Sequence, residues 1–366
     1  MTKYIYQNKK WPEFTWDSEA LFPLLISIKH KQGRLKGNME MLGFTMRSET
    51  ALQTLTMDVL KSTEIEGEIL NPDQVRSSIA RRLGMDISGL VPADRNVDGV
   101  VEMMLDATQN YNTSITKDRL FAWHSALFPA GRSGMLKIRV GNWRTNDNGP
   151  MQVVSGAMGK EKVHYEAPEA SFLNDEMKTF LKWLNTNKET DAVLKSAIAH
   201  LWFVAIHPFD DGNGRMARAI ADMQLAKSDN DAQRFYSMSA QIRVERKGYY
   251  QMLEKTQKGN LDITQWLLWY LSCLDRALNT TDGRLQNVLK KTKFWDAHTH
   301  TPINERQRTM INKVFEGFDG KLTASKWAKI TKCSPDTALR DVQDLMQKNI
   351  LIKEGAGGRS TNYVLK

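Results

Sequence analysis

The chain has 366 residues with 51 Lys and Arg against 42 Asp and Glu, a formal charge of +9 and an isoelectric point near 9.3. Hydrophobic residues at 41% and charged residues at 25% give the balance of a soluble protein of about two or three domains. Two cysteines, Cys273 and Cys333, exclude a disulfide framework, and the most apolar stretch, 197–206, is about half of what a bilayer span needs.

The N-terminal "MTKYIYQNKKWPEF" has no apolar core of a signal peptide, so a reduced, cytoplasmic protein without a membrane partner is expected. Leu52, Leu55, Val59 and Leu60 recur at helical spacing in a first long helix, with Ser48 as its cap. "PDQVRSSIARRLG" opens on a proline and closes on Gly84, a start and stop pair for the next helix. Further helices fit 98–111, 117–128, 169–187, 190–206, 214–227, 245–258 and 262–280. One region breaks the pattern: 141–168 is rich in Gly, Asn, Asp and Pro around the β-prone pieces "MQVV" and "KVHY", and reads as a small hairpin or flap.

The polar stretch 282–300 reads as a connection. Beyond it, "TASKWAKITK", "SPDTALRDVQDLMQKN" and "ILIKEGAGGRSTNYVLK" give helix, helix and a hairpin with a glycine-rich tip, a winged helix-turn-helix in outline. Ser334 caps the second of these helices, with Pro335 at its first position. Residues 301–366 hold 12 Lys and Arg against 7 Asp and Glu. Lys326, Lys329, Lys332, Arg340, Lys348 and Arg359 suit phosphate contacts, so DNA is a candidate partner; Asp336, Asp341 and Asp344 on the recognition helix weigh against a tight groove fit and leave a protein-interaction or dimerisation module as the other reading.

The chemistry concentrates in "IHPFDDGNGRMAR", 206–218. Gly212 and Gly214 flank Asn213 directly before a helix, and a glycine-rich turn feeding a helix N-terminus offers unpaired N–H groups and the positive dipole end to an anion. Arg215 and Arg218, three apart, can add planar donors to phosphate oxygens. "GNGRMA" fits the dinucleotide fingerprint in letters, but the residues before it are helical in period, where that fingerprint needs a strand; the lysine of a Walker loop is also missing. Asp211 suits Mg²⁺, which binds nucleotide phosphates with one or two carboxylates and water. His207 at the mouth of the loop suits a general base, Phe209 a core plug, and His124 and His200 structural positions. Together these parts specify transfer of a phosphate-containing group from a nucleotide to a hydroxyl.

"HPFDDGNGRMAR" resembles, position for position, the signature His-x-Phe-x-Asp/Glu-Gly-Asn-Gly-Arg-x-x-Arg of the Fic (Fido) family, and the likeness extends over about 10–280. It implies a mainly α fold: a Fic-type helical domain with a small β-hairpin flap, here followed by the winged helix-turn-helix. It also implies transfer of AMP from ATP, with Mg²⁺, to a Ser, Thr or Tyr hydroxyl of a target protein and of the chain itself. By the same resemblance His207 deprotonates the hydroxyl and Asp211 holds Mg²⁺. Gly212, Asn213 and Gly214 cradle the phosphates, Arg215 neutralises developing charge and Arg218 grips the γ-phosphate. Val153, Val154, Ser155 and Gly156 of the flap cover the nucleotide and align the target by strand addition, and Tyr249 and Gln257 contact the nucleoside.

"STEIEGE", 62–68, fits the family's inhibitory signature through Ser62, Glu66 and Gly67. A glutamate beside the arginine that should hold the γ-phosphate would pair with it and exclude or misalign ATP. Glu66 is therefore expected to pair with Arg218, and "WPEFTWD", 11–17, to open the N-terminal region of the class that carries this brake. The expected organisation is an inhibitory helical region 1–95, a catalytic core 96–281, a linker 282–300 and a winged-helix domain 301–366. Dimers are common in the family, so a homodimer is a candidate assembly. Two other readings stay open: a DNA-binding regulator that senses ATP, and an enzyme that also removes AMP.

Overall fold

Side-chain caps and apolar stripes set the helices of the chain. The computed structural model describes residues 3–147, 149–156, 160–315, 320–354 and 361–366. It divides into two compact units, Met1–Asn279 and Thr280–Lys366.

In the first unit α1 (Ser18–Glu40) starts where the Asp17 side chain accepts from the Ala20 N–H, and α2 (Phe44–Ile65) follows Gly43. α2 thus begins before Ser48, which lies inside the helix and does not cap it. α1 escaped the periodicity reading because Pro23, Gly33 and Gly37 interrupt a mostly polar stretch. α3 (Pro72–Arg82) is capped by Asn71, which accepts from the Asp73 and Gln74 N–H groups, and Gly84 beyond it takes a left-handed φ of +66°. α4 (Arg95–Gln109) and α5 (Lys117–Leu127) are capped by Asp94 and Thr116.

Two antiparallel hairpins follow, β1 (Arg132–Ser133) with β2 (Leu136–Lys137) and β3 (Gln152–Ser155) with β4 (Lys162–Glu166). The second hairpin is the expected flap, with an irregularity between Val153 and Val154. Then come α6 (Leu173–Thr186), α7 (Ala192–Ile206), α8 (Asn213–Asp229), α9 (Met238–Val244), α10 (Arg246–Gln257) and α11 (Thr264–Ala297), whose residues from Thr280 on belong to the second unit. α7 is buried from Val193 to Ile206, the pattern of a central helix that is largely apolar all round, and packs most extensively on α8. The stretch expected as a connection, 282–300, is helical to Ala297. Its Leu, Gln, Arg and Lys residues are good helix formers, and Gly283 alone does not stop propagation.

α2 is fixed to the core by a buried ionic triad. Arg234 donates to Asp58 of α2 at 2.9 Å and to Asp222 of α8 at 2.6 Å, and Ser237 donates to Asp58 at 2.5 Å. All three charged side chains are 1–2% exposed. This triad sets the axial position of α2, and so of its C-terminal end.

The second unit holds α12 (Glu305–Phe315), α13 (Ala324–Thr331), α14 (Pro335–Gln347) and an antiparallel pair, β5 (Leu351–Glu354) with β6 (Asn362–Leu365). Met310, Ile311, Trp327, Val342, Leu345 and Tyr363 form its core. Ser334 caps α14 by accepting from the Thr337 N–H. The glycine-rich tip, with Arg359, lies outside the described residues. Asp341 is turned inward, accepting from Arg306 and Asn304, and Asp344 accepts from Lys348 and Gln307. Two of the three acids counted against groove binding are therefore neutralised within the unit. Among the described residues no helix is long and apolar enough to cross a membrane.

Candidate active site

α7 ends at His207, whose φ of +51° turns the chain out of the helix while its N–H still bonds to the Phe203 carbonyl at 3.0 Å. Its Nδ1 faces the Val204 carbonyl at 3.2 Å, so Nδ1 carries the proton and Nε2 is left as acceptor. Burial lowers its pKa to about 4, against the Val204 bond that raises it, and the imidazole is neutral at neutral pH. Phe209 is fully buried and stacks on His124 at 4.2 Å and 11°. Asn213 reaches back to this residue, accepting from the Phe209 N–H at 3.0 Å and donating to its carbonyl at 2.8 Å. The Asn213 side chain is thus spent on holding the loop, which leaves its backbone N–H for an anion.

Two further residues clamp the loop. Arg144 donates from Nε to the His207 carbonyl at 2.8 Å and from its backbone N–H to the Pro208 carbonyl at 2.9 Å. His124 accepts from the Gly141 N–H at Nδ1 and donates from Nε2 to the Asp211 carbonyl at 3.2 Å. Neither role is visible in the sequence, because both partners are backbone groups brought together by the fold.

α8 opens on Gly212, whose φ is +79° and whose ideal Cβ would stand 2.9 Å from the Phe128 ring, so only glycine fits. Asp211 accepts from the Gly212 N–H at 2.6 Å with Oδ1 and from Ser133 with Oδ2. Among the described residues no group of three or more His, Cys, Asp or Glu could hold a metal ion. A single carboxylate at this position does fit a magnesium ion held chiefly by phosphate oxygens and water.

The arginines of α8 meet the end of α2. Arg218, 2% exposed, donates to Glu66 Oε1 at 2.7 Å, to the Ser62 hydroxyl at 2.9 Å and to the Ser62 carbonyl at 2.8 Å. Glu66 is the last residue of that end, and Gly67 after it takes φ +93°. A Cβ on Gly214 would stand 2.1 Å from Glu66 Oε1, so the carboxylate lies directly on the first turn of α8. Its second oxygen accepts from the Tyr250 hydroxyl at 3.2 Å. Arg215 donates to Glu68 Oε2 at 3.0 Å, and Glu64 accepts from Arg243 at 3.0 Å. Among the described residues Arg218 Nη1 and Arg215 Nε, both buried, have no acceptor. Two spare buried donors beside a helix N-terminus are what an oxyanion would satisfy.

The flap stands over α10. Tyr165 of β4 donates to the Ala205 carbonyl at 2.7 Å, and His164 Nδ1 lies 2.7 Å from Glu254 Oε2 of α10. Val154, Ser155 and Gly156 are exposed and Val153 is half-buried; the tip beyond them, 157–159, lies outside the described residues. Tyr249 and Gln257 sit in the core instead: the Tyr249 hydroxyl bonds His200 at 2.8 Å, and Gln257 donates to the Val204 carbonyl at 3.4 Å. Tyr250, which the sequence reading passed over, is the tyrosine that faces Glu66.

Residues 114–225, which span the loop and both central helices, match the model of the Fic/DOC family. The chain carries a Fic/DOC-family domain. Residues 4–85, ahead of the Fic domain, match a domain of unknown function, DUF4172, so α2 and its glutamates lie in a segment with a family model of its own. The chain is 29% identical over 116 residues to a probable protein adenylyltransferase of Aquifex aeolicus, covering 28% of this chain and 35% of that protein. It is 31% identical over 132 residues to a uridine 5'-monophosphate transferase of Xanthomonas campestris, covering 31% of this chain and 21% of that protein. The chain thus spans well under half the length of these curated relatives. In fold it is similar to a Fic family protein from Desulfovibrio desulfuricans, with a TM-score of 0.55, 21% identity, and 97% of this chain and 98% of that chain covered.

Proposed function

We propose that this Fic domain is an auto-inhibited protein adenylyltransferase that moves AMP from ATP to a Ser, Thr or Tyr hydroxyl of a target protein and of itself. The observation that carries the reading is the Glu66 carboxylate, seated on the first turn of α8 and paired with Arg218. A site that holds one anion by a helix N-terminus and a buried arginine has the donors for another, a phosphate.

In this reading His207 Nε2 takes the proton of the target protein's hydroxyl, the tautomer being set by Val204. The N–H groups of Asn213 and Gly214 hold phosphate oxygens, joined by that of Gly212 once Asp211 turns from it to the metal, and Arg215 and Arg218 add charged donors at their outer edge. Asp211 would hold Mg²⁺, which supplies charge neutralisation on the phosphates. Val153, Val154, Ser155 and Gly156 cover the nucleotide and present the target segment as an added strand. Glu66 competes with the γ-phosphate for Arg218, and Ser62 and Gly67 shape the turn that presents it. In the second unit, the order of helices and hairpin supports a winged helix-turn-helix, a module that docks either DNA or a protein partner. Asp336, Leu339, Arg340, Gln343 and Gln347 are its exposed face on α14.

The test uses cell extract as acceptor, with Mg²⁺ and ATP labelled on the α- or the γ-phosphate, or UTP labelled on the α-phosphate. Wild type, Glu66→Gly, and Glu66→Gly with His207→Ala are compared. Transfer of α-label from ATP to extract proteins, at least about tenfold faster in Glu66→Gly and lost with His207→Ala, is the expected result. γ-label would make the protein a kinase, preference for UTP would change the nucleotide, and no label in any variant would remove the enzyme reading.

A further inference from the structure

Outside the 207–218 loop, Ser155, His164 and Glu254 form a hydroxyl–imidazole–carboxylate relay. Ser155 Oγ lies 2.5 Å from His164 Nε2, and His164 Nδ1 lies 2.7 Å from Glu254 Oε2. An ionised carboxylate only accepts, so in the neutral ring the proton sits on Nδ1, toward Glu254. Nε2 is then free to accept from the Ser155 hydroxyl. Hydrogen bonds from Lys258 and His164 hold the Glu254 carboxyl down to about 2, so it stays ionised and can stabilise an imidazolium beside it. A nucleophile in contact with a base, and the base oriented by a third group, is the arrangement that activates a hydroxyl.

The position of the relay decides its use. Ser155 is exposed on the flap. Glu254 is four residues, about 6 Å of rise, beyond Tyr250 on α10, and Tyr250 bonds Glu66. The relay therefore stands on the same face of α10 as the tyrosine that meets Glu66. The other described hydroxyls near that site are committed elsewhere: Ser62 is fully buried against Arg218, Ser133 donates to Asp211, the carboxylate proposed to hold Mg²⁺, and Tyr250 donates to Glu66.

We infer that Ser155 is the acceptor hydroxyl when the chain modifies itself. The inference rests on the nucleotidyl-transfer reading above and names one product of it. The Ser155 Oγ forms a bond to the α-phosphorus of ATP as the bond from that phosphorus to the oxygen bridging to the β-phosphate breaks. Pyrophosphate leaves with the electron pair, the hydroxyl proton passes to His164 Nε2, and Glu254 offsets the charge of the imidazolium. The product is a phosphodiester joining AMP to Ser155.

The experiment incubates full-length Glu66→Gly protein with Mg²⁺, α-labelled ATP and cell extract, then digests it with trypsin. The peptide 145–160 carries Thr145 and Ser155 as its only hydroxyl side chains, so fragmentation by mass spectrometry assigns the adduct. AMP on Ser155 is expected, absent from the same peptide of Ser155→Ala. Its initial rate should fall by about 10²-fold in His164→Ala and also fall in Glu254→Gln, which keeps the shape of the side chain. Labelled extract proteins without AMP on Ser155, or with self-modification only at other residues, would overturn this inference and leave the proposed activity standing. An unchanged Ser155 rate in both relay variants would overturn the role of His164. No AMP on either the chain or the extract would overturn both readings.

Discussion

Glu68 Oε2 accepts from Arg215 Nη1 at 3.0 Å, two residues after Glu66 accepts from Arg218 at 2.7 Å. The end of α2 therefore engages both arginines of the motif, where the sequence pattern pointed to one. Arg215 is 3% exposed and Glu68 is 51% exposed, so the second pair is half open to water. Exposed pairs of this kind contribute about 0–1 kcal/mol. Glu68→Ala should raise transfer by roughly two- to fivefold, less than Glu66→Gly, measured as initial rates with α-labelled ATP. A rise as large as that of Glu66→Gly would mean that Glu68 is the main brake.

Asn213 should prove to be a loop residue as much as a phosphate residue. Asn213→Asp keeps the acceptor for the Phe209 N–H but sets a carboxylate oxygen against the Phe209 carbonyl, now 2.8 Å from Nδ2. A cost of about 1–3 kcal/mol in denaturant unfolding is expected, with transfer reduced at least about tenfold in the Glu66→Gly background. Unchanged stability would show that the loop holds its shape without this amide.

Asp58→Ala leaves Arg234 with Asp222 alone and removes the acceptor of Ser237 in the same buried place. Breaking a buried ionic pair costs about 3–5 kcal/mol, and a fall in the melting temperature of the first unit by calorimetry is the expected readout. Because Asp58 lies on α2, the surviving folded fraction should also show faster transfer, as the glutamates at the end of that helix lose their fixed position.

Three buried histidines predict a pH dependence of stability. Burial lowers His124 and His207 to about 4 and His200 to about 3, from an ordinary value of 6.5. Below pH 6.5 the unfolded chain takes up protons that the folded chain refuses, so stability present above 6.5 drains away as the pH falls toward 4. Each histidine contributes a slope of up to about 1.4 kcal/mol per pH unit. Urea unfolding at pH 7.5, 6 and 5 should show the decline, and His200→Phe should make it shallower. A flat profile would mean that these rings are protonated in the folded state.

The sequence by itself determined what depends on local order. A glycine-rich turn before a helix, with Arg215 and Arg218 one turn apart, offers the donors of an anion site wherever the helix lies. The cap at Ser334, with Pro335 at the first position of its helix, acts within three residues of itself. Glu66 was legible for a different reason: its spacing from Ser62 and Gly67 matches a known signature, although the contact with Arg218 spans 152 positions. The tertiary structure alone decided which side chains are spent elsewhere. Tyr249 and Gln257 point into the core because the face of α10 that carries them packs against α7, while Tyr250, one residue on, turns to the site. Arg144 and His124 hold the loop through backbone carbonyls, which carry no letter in a sequence. Glu68 and the Ser155–His164–Glu254 relay join residues 9 to 147 positions apart. Such partnerships follow from how strands and helices pack, and no periodicity along the chain records them.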